Sequence, residues 1–179
     1  MKPSKIKIGN SIEELFFIIS PPVHIKSDVS VLKDDVQYLI GHGFEDRHST
    51  AHISLFRYDL EPHFDDITRH VEEVAAGFSA FNIFIKDLNV IHNGSQRTIF
   101  LDIVNKYPVR DIFEKLVKKD IQYTPTITVA KKLSADDFLK AWPYLKDLPY
   151  SQHFLCDRIT VLARTDDKWV TYKEIMFGQ

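Results

Sequence analysis

The stretch Thr50-Ala51-His52-Ile53-Ser54-Leu55 and its echo, Thr124-Pro125-Thr126-Ile127-Thr128-Val129, decide how this chain is read. Position 126 lies 74 residues beyond position 52. Both stretches alternate in a way that suits a strand, so residues 52 and 54 share one face, as do residues 126 and 128. The first presents an imidazole beside a hydroxyl. The second presents two hydroxyls. Histidine gives or takes a proton near neutral pH, and hydroxyls donate hydrogen bonds to anionic oxygens. Two such strands facing each other would make a small polar floor fit for a phosphate, with His52 and Thr126 opposed across it.

Outward from the first motif, Leu15-Phe16-Phe17-Ile18-Ile19 is a continuous apolar run ended by Ser20-Pro21-Pro22. It predicts a strand buried on both faces. Ser27-Asp28 predicts a helix start, and Val29, Leu32, Val36, Leu39 and Ile40 supply its apolar stripe, ending near Gly41 or Gly43. The first motif strand follows over residues 51–58. Pro62 precedes a second helix with Phe64, Ile67, Val71, Val74 and Ala75 on one face and Gly77 as its stop. Strands over residues 81–91 and 97–104 flank the hairpin signal Asn93-Gly94.

The pattern then repeats. Pro108 suits the first turn of a helix whose stripe is Val109, Ile112, Phe113, Leu116 and Val117. The second motif strand covers residues 124–133. Ser134-Ala135-Asp136-Asp137 resembles a capping box, and Phe138, Ala141, Trp142 and Leu145 give the next helix face. Residues 153–164 predict one strand, and 168–177 a last one after the turn at Thr165-Asp166-Asp167. The expected fold is α+β: duplicated β-α-β-α-β lobes, two antiparallel sheets around a central cleft, with residues 1–179 as a single bilobal domain. Each motif strand is expected in the middle of its half.

Composition narrows the class. At 179 residues with 44% hydrophobic and 27% charged, the chain can bury a core without disulfides. Cys156 is the only cysteine, which excludes an internal disulfide and points to a reducing compartment. A net charge of −2 argues against nonspecific binding to duplex DNA. The apolar run after Lys2, Lys5 and Lys7 is too short for a signal peptide or a membrane span. A cytoplasmic, soluble protein with no membrane partner is expected, and a monomer.

Other chemistries find little support. No Gly-rich phosphate loop and no Gly-x-Ser-x-Gly elbow is present, and Cys156 has no neighbouring base in sequence. His63 and His70, seven apart, lack the partners of a metal site, so no metal and no cofactor is expected. Lys132 shares the face of Thr128 by parity and would reach a phosphate, whereas Arg57 and Lys131 would point to the opposite face. His48 and His153 are the histidines considered as stand-ins for a second proton carrier.

On these residues the chain resembles the 2H phosphoesterase superfamily, which includes 2′-5′ RNA ligases and cyclic phosphodiesterases. That family carries two His-x-Thr/Ser motifs, one per lobe. Here the first is His52-Ile53-Ser54. The second falls at Thr126-Ile127-Thr128, where Thr126 stands in place of the histidine. The resemblance implies a metal-independent phosphoesterase acting on a nucleotide or RNA end that bears a 2′,3′-cyclic phosphate or a 2′-5′ linkage. It implies proton transfer by His52 and phosphate contacts by Ser54, Thr126 and Thr128. With one motif histidine missing, it implies an impaired or retuned enzyme, or a catalytically inactive phosphate- or nucleotide-binding module on the same fold.

Overall fold

Every residue of β1 (Glu14–Ile19) is buried in the computed structural model, which describes residues 12–59 and 64–178. The expected central strand is thus present. Lys2, Lys5, Lys7, Pro62 and His63 lie outside the described residues.

α1 (Val23–Ile40) starts four residues earlier than Ser27-Asp28 suggested. Pro22 takes the cap position, where its fixed φ and missing N–H cost nothing. Asp28 instead accepts a hydrogen bond from the Tyr150 hydroxyl at 3.0 Å. Gly41 ends the helix at φ +84°, its N–H donating to the Gln37 carbonyl. β2 (Ile53–Asp59), α2 (Phe64–Ala76), β3 (Phe81–Asn93), β4 (Gln96–Ile103), α3 (Lys106–Val117), β5 (Thr126–Leu133) and α4 (Ala135–Leu145) follow in the expected order. Ser134 caps α4 by accepting from the Asp137 N–H at 3.1 Å.

The single strand expected over residues 153–164 is two strands, β6 (Ser151–Cys156) and β7 (Arg158–Thr165), followed by β8 (Lys168–Met176). Asp157 breaks the run, and its carboxylate takes the Arg158 Nε–H at 2.7 Å. The sequence carries the signal in its parity. Phe154 and Cys156 are buried, then Ile159, Val161 and Ala163, so the buried face moves from even to odd positions.

The eight strands run in the order β6-β3-β4-β5-β2-β1-β7-β8, all antiparallel. The sheet is two four-stranded halves joined at one residue pair, Ile53 opposite Ile127. The motif strands β2 and β5 are therefore the inner edges of their halves, and not their middles. Strands laid flat would set β6 and β7 about 29 Å apart, six spacings of ~4.8 Å. Asp157 alone spans only about 3.5 Å. The sheet must therefore curl back on itself, and the one-pair seam is where its ladder is thinnest.

Helices cover one face. α1 packs with α4 and on β5, while α2 packs with α3 and on β8, and α3 reaches β2. Each half thus buries one face under two helices, with Phe17, Val29, Ile53, Val109, Ile127 and Ala141 in one continuous core. The other face lines the cleft.

Candidate active site

Ile53 and Ile127 are fully buried and face the helices, so the residues on either side of each point to the cleft. The antiparallel pairing of Ile53 with Ile127 sets His52 opposite Thr128, and Ser54 opposite Thr126. His52 and Thr126 are diagonal across the seam, where they were expected to be opposed. Diagonal Cβ atoms lie about 7–8 Å apart, which leaves room for a tetrahedral anion between them. Ser54 is exposed, and His52, Thr126 and Thr128 are half-buried.

His52 is held in a defined orientation. Its Nδ1–H donates to the Thr50 carbonyl at 2.7 Å. A carbonyl only accepts, so in the neutral ring the lone pair sits on Nε2, which is the form of a general base. The ring meets Phe16 edge-on at 5.1 Å. Burial lowers the imidazole pKa below its ordinary value, against the bond to Thr50, which raises it.

Beneath this residue is a group that the sequence reading did not single out. Lys33 is 2% exposed. Its Nζ donates to the Asp46 carbonyl at 2.7 Å and to the Ser49 carbonyl and hydroxyl, each at 2.9 Å. Burial lowers its pKa. Arg47 adds a hydrogen bond to Gln37 at 2.5 Å and an ion pair to Asp34. The loop that delivers His52 is therefore pinned to α1. The signal was available: Lys33 lies on the stripe of Ile25, Val29, Leu32 and Val36, where a charge needs a buried partner.

The second motif is tied to the first. Tyr123 stacks on Phe113 at 4.0 Å and donates its hydroxyl hydrogen to the Ser54 carbonyl at 2.8 Å. Burial raises its phenol pKa. On the other side of β5, Thr126 pairs with Asp102, whose carboxylate holds Lys106 at 2.7 Å.

Two parity readings are overturned, both by bulges. The β1–β2 register shifts between Phe17 and Ile18, so two β2 residues are taken up in one step. After it Arg57 lies on the cleft face, its guanidinium 4.5 Å from the Phe16 ring and 5.4 Å from Trp169. The β4–β5 register shifts as well, and Lys132 adopts φ +55°. Lys132 pairs with Glu45 at 3.0 Å, with Lys131 at 4.0 Å from the same carboxylate. Both lysines thus clamp the turn at 45–48 that precedes His52.

Of the two stand-in histidines, strand order keeps His153 away from Thr126. His48 lies in the turn at 45–48. His153 stacks on Phe84 at 5.8 Å, and β6 lies three strands from β5, about 14 Å within its half. His70 bonds the Leu116 carbonyl at 3.1 Å, joining α2 to α3. Burial pushes the Cys156 thiol up to about 12, which leaves it protonated at neutral pH. Among the described residues no group of three or more histidine, cysteine or acidic side chains is arranged to hold a metal ion. Among them, too, no helix is long and apolar enough to cross a membrane.

An α+β chain with two antiparallel halves meeting at a polar seam is the architecture of the LigT-like phosphoesterases, and comparison with known proteins agrees. The model of the 2′-5′ RNA ligase superfamily matches residues 21–168. The chain belongs to that family. No curated protein matches it. Among solved structures it is similar to TT0787 of Thermus thermophilus, at 14% identity and TM-score 0.68, over 93% of this chain and 99% of that one. It is also similar to E. coli LigT complexed with 3′-AMP, at 13% identity and TM-score 0.58, over 94% and 100%. At these identities the likeness concerns the fold.

Proposed function

We propose that the seam binds the phosphate of a nucleotide or RNA end and that His52 opens a 2′,3′-cyclic phosphate or a 2′-5′ linkage there. The observation that carries this reading is the Ile53–Ile127 pair, which gathers His52, Ser54, Thr126 and Thr128 on one face. Similar folds have been seen in E. coli LigT with 3′-AMP and with phosphate.

In this reading the Ser54, Thr126 and Thr128 hydroxyls donate to the non-bridging phosphate oxygens. For a cyclic phosphate, water attacks phosphorus and passes a proton to His52 Nε2. The bond from phosphorus to one ribose oxygen breaks, and that oxygen takes its proton from solvent. Thr126 cannot supply it, because an alkyl hydroxyl is no acid at neutral pH. Loss of one acid–base partner costs about 10²–10⁴-fold in rate, so turnover is slow.

Thr126 also favours a second reading, in which the cleft binds a phosphate or nucleotide without turning it over. Hydrolysis of nucleoside 2′,3′-cyclic monophosphates separates the two. Activity in the native chain that His52→Ala abolishes supports the enzyme. No native activity, with activity gained in Thr126→His, supports the binding module. No activity in any of the three sinks the catalytic reading. A cytoplasmic setting is part of this reading, supported by a single cysteine that can form no internal disulfide.

A further inference from the structure

The helices are exchanged across the seam. α1 follows β1 in the chain but packs with α4 on β5, and α3 follows β4 but packs on β2. Residues 41–52, between α1 and β2, therefore cross from one half of the sheet to the other and bring His52 with them. One residue pair joins the halves, so the anchors of this strap help set where His52 stands against β5.

Lys33 and Arg47 tie the strap to α1, and Lys131 and Lys132 of β5 hold Glu45. A further anchor is His42. Its Nδ1 lies 2.8 Å from the Gly43 carbonyl, and its Nε2 lies 3.0 Å from Asp137 Oδ1 on α4. A carbonyl and an ionised carboxylate only accept, so a ring that makes both bonds carries two protons. A neutral ring has one bare nitrogen, whose lone pair would face an oxygen, and one bond must go. The Gly43 contact is to the next residue. The Asp137 contact is the one that reaches another element.

The surroundings suit a proton-dependent contact. The His42 side chain is 56% exposed and that of Asp137 16%, so solvent reaches the ring while the carboxylate is held at the start of α4. Asp137 and Lys140, both on α4, are the charged groups among the described residues that act on the ring, the first favouring its proton and the second opposing it. Lys140 Nζ lies 3.9 Å from the same Asp137 oxygen. The bonds to Gly43 and Asp137 hold the imidazole above its ordinary pKa of 6.5. The contribution of the contact is therefore complete below pH 6.5 and is lost as pH rises through the folded midpoint. Imidazole is the one side chain among these anchors whose ordinary pKa is near neutral.

We propose that His42 is a proton-operated catch on the strap that carries His52. With two ring protons it fastens the strap to α4, and with one it lets that end go. The catch needs no ligand on the seam, so it stands or falls apart from the phosphate-binding reading.

Two NMR measurements on the full chain test it. The His42 ring should titrate with a midpoint above 6.5, and Asp137→Asn, which keeps shape and removes the charge, should lower that midpoint. Amide hydrogen exchange reads the strap itself, through the Arg47 and Ser49 N–H groups that bond the Phe44 and Asp46 carbonyls. Relative to unstructured peptide, their protection should fall about threefold as pH rises through the His42 midpoint, the value of an exposed ion pair. His42→Arg, a cation at every pH with several donors, should keep the protection high throughout. It also separates His42 from His48 and His52, the other histidines of the strap. A native midpoint at or below 6.5, or one that Asp137→Asn leaves in place, overturns the catch. Protection that does not change with pH overturns it too, as does a fall in protection that survives in His42→Arg. Should Asp137→Asn not fold, the native chain and His42→Arg still decide.

Discussion

β2 and β5 share a geometry and differ in what is built behind them. Behind β2, Lys33 and Arg47 pin a loop so that the His52 ring is fixed against Thr50 and Phe16. Behind β5, Tyr123 leans across the seam to hold the Ser54 carbonyl, and Asp102 stands opposite Thr126. One side orients an imidazole. The other braces that side and presents hydroxyls. The difference teaches that the register of the seam is set by Ile53, Ile127 and the core beneath them, and not by the polar residues.

The sharpest way to break this asymmetry is Thr126→His. The new imidazole would lie beside Asp102, a carboxylate that favours the protonated ring and hence a general acid. Cyclic phosphate hydrolysis should rise about 10²-fold or more, read by product release. An unchanged rate would mean that a histidine at position 126 does not by itself complete a catalytic pair.

Lys33→Met tests the bracing of the first motif. It strands the Asp46 and Ser49 carbonyls, and leaving buried acceptors unpaired costs about 1–3 kcal/mol. Denaturant unfolding should show that loss, and the His52 resonances should broaden. Tyr123→Phe keeps the stack on Phe113 and removes one hydrogen bond, so a loss of about 1 kcal/mol is expected by the same measurement.

The smallest effect concerns pH. Burial lowers the His52 pKa below 6.5, so the folded protein binds this proton less readily than the unfolded chain. Its contribution to stability is intact above pH 6.5 and is lost as pH falls through the folded value. The acid limb of any activity should lie below 6.5 for the same reason. An NMR titration of the His52 ring checks both, and a midpoint above 6.5 would contradict the burial argument.

Much of this was legible in the sequence. The order of strands and helices follows from periodicity, with Gly41, Asn93-Gly94 and Ser134 acting where their chemistry predicts. The face shared by His52 and Ser54, and by Thr126 and Thr128, follows from a period of two. Three things were not legible. Bulges beyond the motifs reverse parity, which put Arg57 on the cleft face and sent Lys132 to Glu45; a bulge depends on the partner strand. The change of sheet half at Asp157 is a matter of pairing, marked in the sequence only by a shift in the buried face. Lys33 and Tyr123 act through backbone carbonyls of distant segments, and a linear pattern does not show which carbonyls those are.

The central claim is that the seam binds phosphate through both motifs at once. Its most direct test is an amide NMR titration with inorganic phosphate. Shifts should concentrate at residues 52–54 and 126–128, and Ser54→Ala and Thr128→Val should each weaken binding about tenfold, as expected for hydrogen bonds to a charged group. Shifts at one motif alone, or at neither, would contradict the account.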